Sequence, residues 1–282
     1  MEAKTSLKQF LRLLYMSAKM DLAWLLRDSK YALICMVVDI ADNIAAISTV
    51  LLIAGRIGSI GSMGFDEALF MMSYSSLLNS LYIMLGAGNN IIISRVIGRG
   101  QLDHMLIQPL PLITQLATSG FAPFSGFGNF IVGIALMSAS IHRIGMSITS
   151  LWLLSLLIYL IASLAIIASM SYLSAIMAFY APVAAEEISS TAIDDAWPLS
   201  AFPLSGMPAI IQVALLTVFP YGLISWFPSM CLLGKPPLGL SSYYPVAVAF
   251  VLSNAAGYMF KKAMNYYTMK GSNRYVPHGF RR

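Results

Sequence analysis

Long apolar runs that do not alternate, parted by short polar segments, organise the chain. They cover about 31–54, 67–94, 112–140, 148–180, 207–227 and 244–260. Helices of about 20 residues cross a hydrocarbon core of about 30 Å, so the pattern predicts six transmembrane helices. A transmembrane β-barrel needs short strands of alternating polarity, and these runs lack them. Helices satisfy their own backbone polar groups in lipid, which makes an all-α polytopic bundle the expected fold. The run at 148–180 exceeds one bilayer thickness and is expected to tilt or to continue into the cytoplasm.

The first 30 residues follow another pattern. Leu7, Phe10, Leu11, Leu14, Trp24 and Leu25 recur at helical spacing, with lysines and arginines between them. This predicts an amphipathic helix lying on the inner membrane surface. The stretch lacks the apolar core and small-residue cleavage site of a secretory signal, so none is expected.

Composition agrees with the pattern: 58% of residues are hydrophobic and 10% charged, with a mean hydropathy of +0.76. A soluble domain carries about 25% charged residues. The net charge of +5 is informative by position and does not indicate nucleic-acid binding. Lys4, Lys8, Arg12, Lys19, Arg27 and Lys30 precede the first run, Arg95 and Arg99 follow the second, and Lys261, Lys262, Lys270, Arg274, Arg281 and Arg282 follow the last. Arg56, Arg143 and Lys235 fall on the other side. The excess of positive charge on cytoplasmic loops puts both termini inside, at a cell membrane of bacterial inner-membrane type.

The expected organisation is a cytoplasmic amphipathic segment at 1–30, a six-helix domain at 31–260 and a cytoplasmic tail at 261–282. Within the domain lie cytoplasmic loops at 95–111 and 181–206 and an extracellular loop at 228–243. The 181–206 loop has no Lys or Arg but holds Glu186, Glu187, Asp194 and Asp195. The Pro/Gly-rich, apolar 228–243 loop is expected to form short helices dipping into the interface. Cys35 falls in a span and Cys231 in that outside loop, so no disulfide between them is expected.

Catalytic tools are missing from the sequence. There is no GxxxxGK[ST], HExxH, CxxC or GxSxG. His104, His142 and His278 lie far apart and outside the runs, which argues against a metal site. Polar residues inside the spans are the alternative chemistry. Asp39, Asp42 and Asn43 stand at i, i+3 and i+4 and so share a helical face. They line a translocation path or make an interhelical polar contact, and ionisable groups at that depth face a wet cavity or protein. Asn79, Asn89, Asn90 and Asn129 are expected to hydrogen-bond between helices, and the "LGAGNN" and "GFGNF" patches to mark close helix approach.

One segment stands apart: "GRGQLDHMLIQPLP", residues 98–111. Gly98 and Gly100 permit a sharp exit from the second span. Leu102, Met105 and Leu106 fall on one face of a short helix, Asp103 suits its N-terminal end, and Pro109 and Pro111 stop it. It reads as an interfacial turn or as a stiff lever for a soluble partner.

The block running from this loop into the third span resembles ABC-2-type ABC transporter permeases. The family pattern G-[E/Q]-L-D-x-x-L-[I/L]-x-P, followed by Phe-x-Pro, is met by Gly100, Gln101, Leu102, Asp103, Leu106, Ile107 and Pro109, then Phe121 and Pro123. Gln108 stands where the family commonly has arginine. The resemblance implies the transmembrane subunit of an exporter of hydrophobic or amphipathic compounds. It implies a second permease subunit, identical or different, and a cytoplasmic ABC ATPase dimer that carries the ATP and Mg. This chain would bind no cofactor itself and catalyse nothing. Gln101, Leu102, Asp103, His104, Met105, Leu106 and Ile107 would form the helix that docks on the ATPase. A self-contained channel or proton-coupled carrier using Asp39 and Asp42, and an intramembrane enzyme, are the competing readings.

Overall fold

The computed structural model describes residues 7–86, 96–97, 101–180 and 196–270. Lys4, Asn89, Asn90, Arg95, Gly98, Arg99, Gly100, Glu186, Glu187, Asp194, Asp195, His278 and the tail beyond Lys270 lie outside the described residues. The chain enters through α1 (Leu7–Arg27) and α2 (Ser29–Ile57). A small antiparallel ribbon, β1 (Ser59–Ile60) and β2 (Met63–Gly64), reverses it with Ser59 opposite Gly64 and Ile60 opposite Met63. Next come α3 (Phe65–Met84), α4 (Leu102–Leu106), α5 (Leu112–Ser119) and α6 (Phe127–Ile144). α7 (Ser150–Ala175) continues as a 3-10 turn over Ile176–Phe179. After α8 (Ala196–Ala201) the chain forms α9 (Ala209–Thr217), a 3-10 turn at Pro220–Leu223, α10 (Trp226–Leu232) and finally α11 (Tyr244–Lys270).

Among the described residues, three helical segments are long and apolar enough to cross a membrane: Ser29–Ile57, Phe127–Ile144 and Ser150–Phe179. A fourth results if Ala209–Thr217 and Pro220–Leu232, bent by 74° at their break, are one span. Two expectations are corrected here. The run at 112–140 is not one helix. Gly120, Pro123 and Gly126 interrupt it, and the membrane-length helix starts at Phe127. The run at 207–227 breaks at Pro220, which has no N–H to continue the ladder. The helix α10 that follows takes up the first part of the expected outside loop, and Cys231 sits in it. Cys35 and Cys231 are both free thiols.

α3 is the hub. Most of its residues are buried, on every side of the helix. That burial explains why a central helix is less apolar than its neighbours: it faces protein rather than lipid, where small polar side chains pack well. Ser73 and Ser80 donate to the carbonyls of Phe70 and Leu77 in the preceding turn, at 2.6 and 2.7 Å. Tyr74 pairs with Ser163 of α7 at 2.9 Å.

The most extensive helix pairings are α3 with α6 and α7 with α11. Glycines in α6 set the first. A Cβ at Gly133 would lie 2.8 Å from Leu77 Cγ and 3.0 Å from the Leu77 amide nitrogen, and one at Gly128 would lie 3.0 Å from Met36 of α2. The "GFGNF" patch is thus a close-approach surface. Two apolar cores result: a large one around α3, α6, α7 and the bent pair, and a smaller one where α7 and α11 meet α4 and α5.

At the large-core end, the acidic start of α3 gathers the neighbouring segments. Glu67 accepts the Gly64 N–H at 3.1 Å and pairs with Lys235. Asp66 meets Arg143 at 3.4 Å. Exposed pairs of this kind contribute about 0–1 kcal/mol each, so packing carries the fold. Gly133→Val should lower thermal stability by about 1–3 kcal/mol through overpacking. Gly257→Ala, where a Cβ meets nothing within 4 Å, should not; thermal unfolding of the detergent-purified protein reads the difference.

Candidate functional site

The loop helix α4 sits on the smaller core. Its first turn is anchored by the Gln101 N–H, which donates to the Val96 carbonyl at 2.9 Å. Leu102, only 1% exposed, inserts among Val96, Ile97, Leu116, Ala175, Phe179, Ala263 and Tyr267. Met105 packs against the same cluster. The Gln115 side chain of α5 then reaches back, donating to the carbonyls of Met105 at 2.9 Å and Leu110 at 2.8 Å. Pro109 and Pro111 cannot supply backbone donors, and this buried amide ties the turn together instead. α4 and α5 thereby form one braced unit.

Leu106 does not share the inner face with Leu102 and Met105. It is 39% exposed, and Ile107 beyond it is 81% exposed. The helix is only five residues long, and Leu106 is its last residue, beyond the cover that the core gives Leu102 and Met105. Gln101, His104 and Gln108 are exposed as well. The unit thus presents an outward apolar tip on a base whose inner side is fixed. Asp103 is exposed at one edge, where its Oδ1 accepts a hydrogen bond from Tyr267 Oη of α11 at 3.0 Å.

α1 is fastened to the same unit. Phe10, Leu13, Leu14, Ser17, Ala18, Asp21 and Leu25 form its half-buried stripe, while Leu7, Leu11, Tyr15 and Met20 stay exposed. Ser17 Oγ donates to the Thr118 carbonyl at the end of α5, at 2.8 Å. Asp21 accepts from the Phe124 N–H at 2.8 Å, the Ser125 N–H at 3.3 Å and Ser125 Oγ at 2.6 Å. This carboxylate fixes the turn that leads into α6, much as a side-chain cap satisfies free amides at a helix start.

The three polar residues of α2 part company. Asn43 turns inward and donates from Nδ2 to Ser76 Oγ of α3 at 2.7 Å and to Asn129 Oδ1 of α6 at 3.2 Å. Ser76 in turn donates to the Asn129 carbonyl at 3.3 Å. Asp39 and Asp42 are exposed. The shared face is therefore split: Asn43 lies about 100° around the helix from Asp42, enough to point it into the bundle. The α2–α3–α6 node is a packing contact, and the two carboxylates remain on the open side.

Among the described residues, no group of three or more His, Cys, Asp or Glu is placed to hold a metal ion. Two open clefts of about 340 and 380 Å³ share Ser62 and Lys235 at the large-core end, remote from Asp103. Sequence reading did not single out Tyr267, Gln115 or Asp21. Gln115 had a signal, a lone amide in an apolar run, and so did Asp21, an acid in a basic stripe. Tyr267 had none, because its partner lies 164 residues away.

Residues 41–271 match the family model described as ABC-2 family transporter protein. That range spans most of the chain, and the chain belongs to this family of ABC-2-type membrane permeases. No curated protein and no solved structure matches it.

Removing the Asp21 carboxylate should loosen the α5–α6 turn by about 0.5–2 kcal/mol, comparable to losing a helix cap. In Asp21→Ala, hydrogen exchange at the Phe124 and Ser125 amides should quicken while the α7 amides keep their protection.

Proposed function

We propose that the chain is the transmembrane permease subunit of an ATP-driven exporter that moves a hydrophobic or amphipathic substrate, drug, lipid, peptide or glycan-like, out of the cell. Membership of the ABC-2 family implies association with an ABC ATPase. In this reading two permease subunits, alike or different, sit on a cytoplasmic ATPase dimer that holds ATP and Mg. The permease itself catalyses nothing, binds no cofactor and contacts lipid rather than nucleic acid.

The six spans are α2, α3, α6, α7, the bent α9–α10 pair and α11, at the cell membrane and with both termini inside. α3 counts as a span because its serines and Tyr74 are buried among neighbouring helices rather than facing lipid, and α11 counts as one through its length and its pairing with α7. α1 lies on the inner surface. The domain boundaries in this reading are 1–30, 31–260 and 261–282, and the last helix runs on to Lys270.

The observation that carries this reading is the braced loop helix. A docking element must present an apolar tip and resist deformation when pushed. α4 supports both demands, with Leu106 and Ile107 exposed and Leu102, Met105, Gln115 and Asp103 engaged behind them. Apolar surface buried in a partner's groove is worth about 25 cal/mol per Å², so two exposed aliphatic side chains are a workable anchor. ATP-driven closure of the ATPases would move this unit, and a two-state permease dimer would convert the motion to extrusion.

Asp39 and Asp42 support a second reading. Two carboxylates on the exposed side of a membrane-length helix are costly against lipid and require water or protein beside them. In the exporter they would border the substrate path between subunits. In the alternative they would serve a self-contained proton-coupled carrier, which would transport with the purified chain alone under a proton gradient.

Two experiments test the leading reading. The Leu106→Glu/Ile107→Glu double variant should lower ATPase co-purification and permease-stimulated hydrolysis by about tenfold or more, as for loss of a docking hot spot. Equal capture and turnover would remove the docking role. Single cysteines placed at Gln108 and Lys235, in a chain with both native cysteines replaced by serine, should react with a membrane-impermeant maleimide from opposite sides. Labelling from one side would overturn the six-span topology.

A further inference from the structure

The reading of α4 as the docking element leaves open where its displacement goes. The covalent route runs into α5 and on to α6. The packing describes a second route. Tyr267, only 3% exposed, donates its hydroxyl to Asp103 at 3.0 Å, and Leu102 of the same short helix belongs to the same buried apolar cluster as Ala263 and Tyr267. α4 is thus tied to α11 by a hydrogen bond beside a shared apolar core.

From Tyr267 the contacts continue through rings. Phe179 meets Tyr267 edge-on at 5.9 Å and Phe260 at 5.5 Å, and Phe260 meets Tyr172 of α7 at 5.6 Å. α7 and α11 then stay paired toward the large core, with Ser169 Oγ and Ser253 Oγ 3.1 Å apart. At its other end α11 holds the bent segment. Tyr244 Oη donates to the Leu216 carbonyl of α9 at 3.0 Å, and its ring lies 5.9 Å from that of Phe227 in α10. α11 is a single helix of 27 residues, a rod of about 40 Å at 1.5 Å per residue. Close-packed interiors transmit displacement rather than absorb it.

We propose that the Tyr267–Asp103 hydrogen bond is the positioning contact through which movement of the loop helix reaches α11 and, at its far end, the bent α9–α10 pair. Asp103 and Tyr267 act through other groups and touch no substrate. The proposal rests on the docking role of α4. The bond needs a donor on residue 267 and an acceptor oxygen on residue 103, with no requirement for charge. Tyr267→Phe keeps the ring in the aromatic cluster and removes the donor. Asp103→Ala removes the acceptor, and Asp103→Asn keeps one.

The test uses the permease–ATPase complex captured from cells and reconstituted in nanodiscs. A bimane fluorophore sits at Val213→Cys, an exposed position on α9, in a chain with Cys35 and Cys231 replaced by serine. Adding ATP with vanadate should change the emission of the parent complex. In Tyr267→Phe and Asp103→Ala that change should fall about fivefold or more, the scale of a modest coupling energy between sites. Asp103→Asn should retain it, and the double Tyr267→Phe/Asp103→Ala variant should be no worse than either single one. ATPase co-purification should be unchanged in Tyr267→Phe. A full response in Tyr267→Phe, or a loss in Asp103→Asn equal to that in Asp103→Ala, overturns the linkage while the docking role stands. A parent chain that captures no ATPase overturns the docking role and the linkage with it.

Discussion

The architecture depends on how closely α6 can approach α3. Gly133 brings the α6 backbone against Leu77, where even a methyl group would collide. That approach encloses the middle of α3, and enclosure lets α3 carry serines, Tyr74 and a half-polar surface inside a membrane protein. In lipid there is little hydrophobic force between helices, so tight packing and interhelical hydrogen bonds must hold them. The Asn43–Ser76–Asn129 node is one such bond set, and it closes the third side by binding α2. The acidic start of α3 then has fixed neighbours in Arg143 and Lys235.

The opposite end is built on attachment rather than enclosure. α4 is too short to be stable alone, since isolated helices below about 12–15 residues are marginal in water. It persists because it is held at three points: by the small core below, by Gln115 across the turn and by Tyr267 at the edge. The Leu106–Ile107 tip stays exposed. A free tip on a fixed base suits a segment that receives force from outside the chain.

Much of this was legible in the sequence. Hydropathy gave the helical membrane class, and punctuation by glycine and proline gave the short helix at 102–106. The loop pattern gave the family that the match over 41–271 shows. What was not legible has physical reasons. Hydropathy averages over a window, so it did not register that Gly120 to Gly126 or Pro220 interrupt an apolar run. The exposure of Leu106 depends on where a five-residue helix ends, which periodicity cannot resolve. The extension of the last helix to Lys270 is set by the burial of Ala263 and Tyr267, whereas lysines at 261 and 262 suggested a solvated tail. The separation of Asn43 from Asp39 and Asp42 follows from which helices flank α2, and that is tertiary information.

The Asp21 carboxylate also bears on how the protein is made. Its partners, Phe124 and Ser125, follow it by more than a hundred residues. At about 5–20 residues per second, synthesis of that interval takes on the order of 10 s. Through that time α1 lacks the partners that seat it on the α5–α6 turn. In the proposed topology its amphipathic stripe would hold the segment at the bilayer until that turn has emerged.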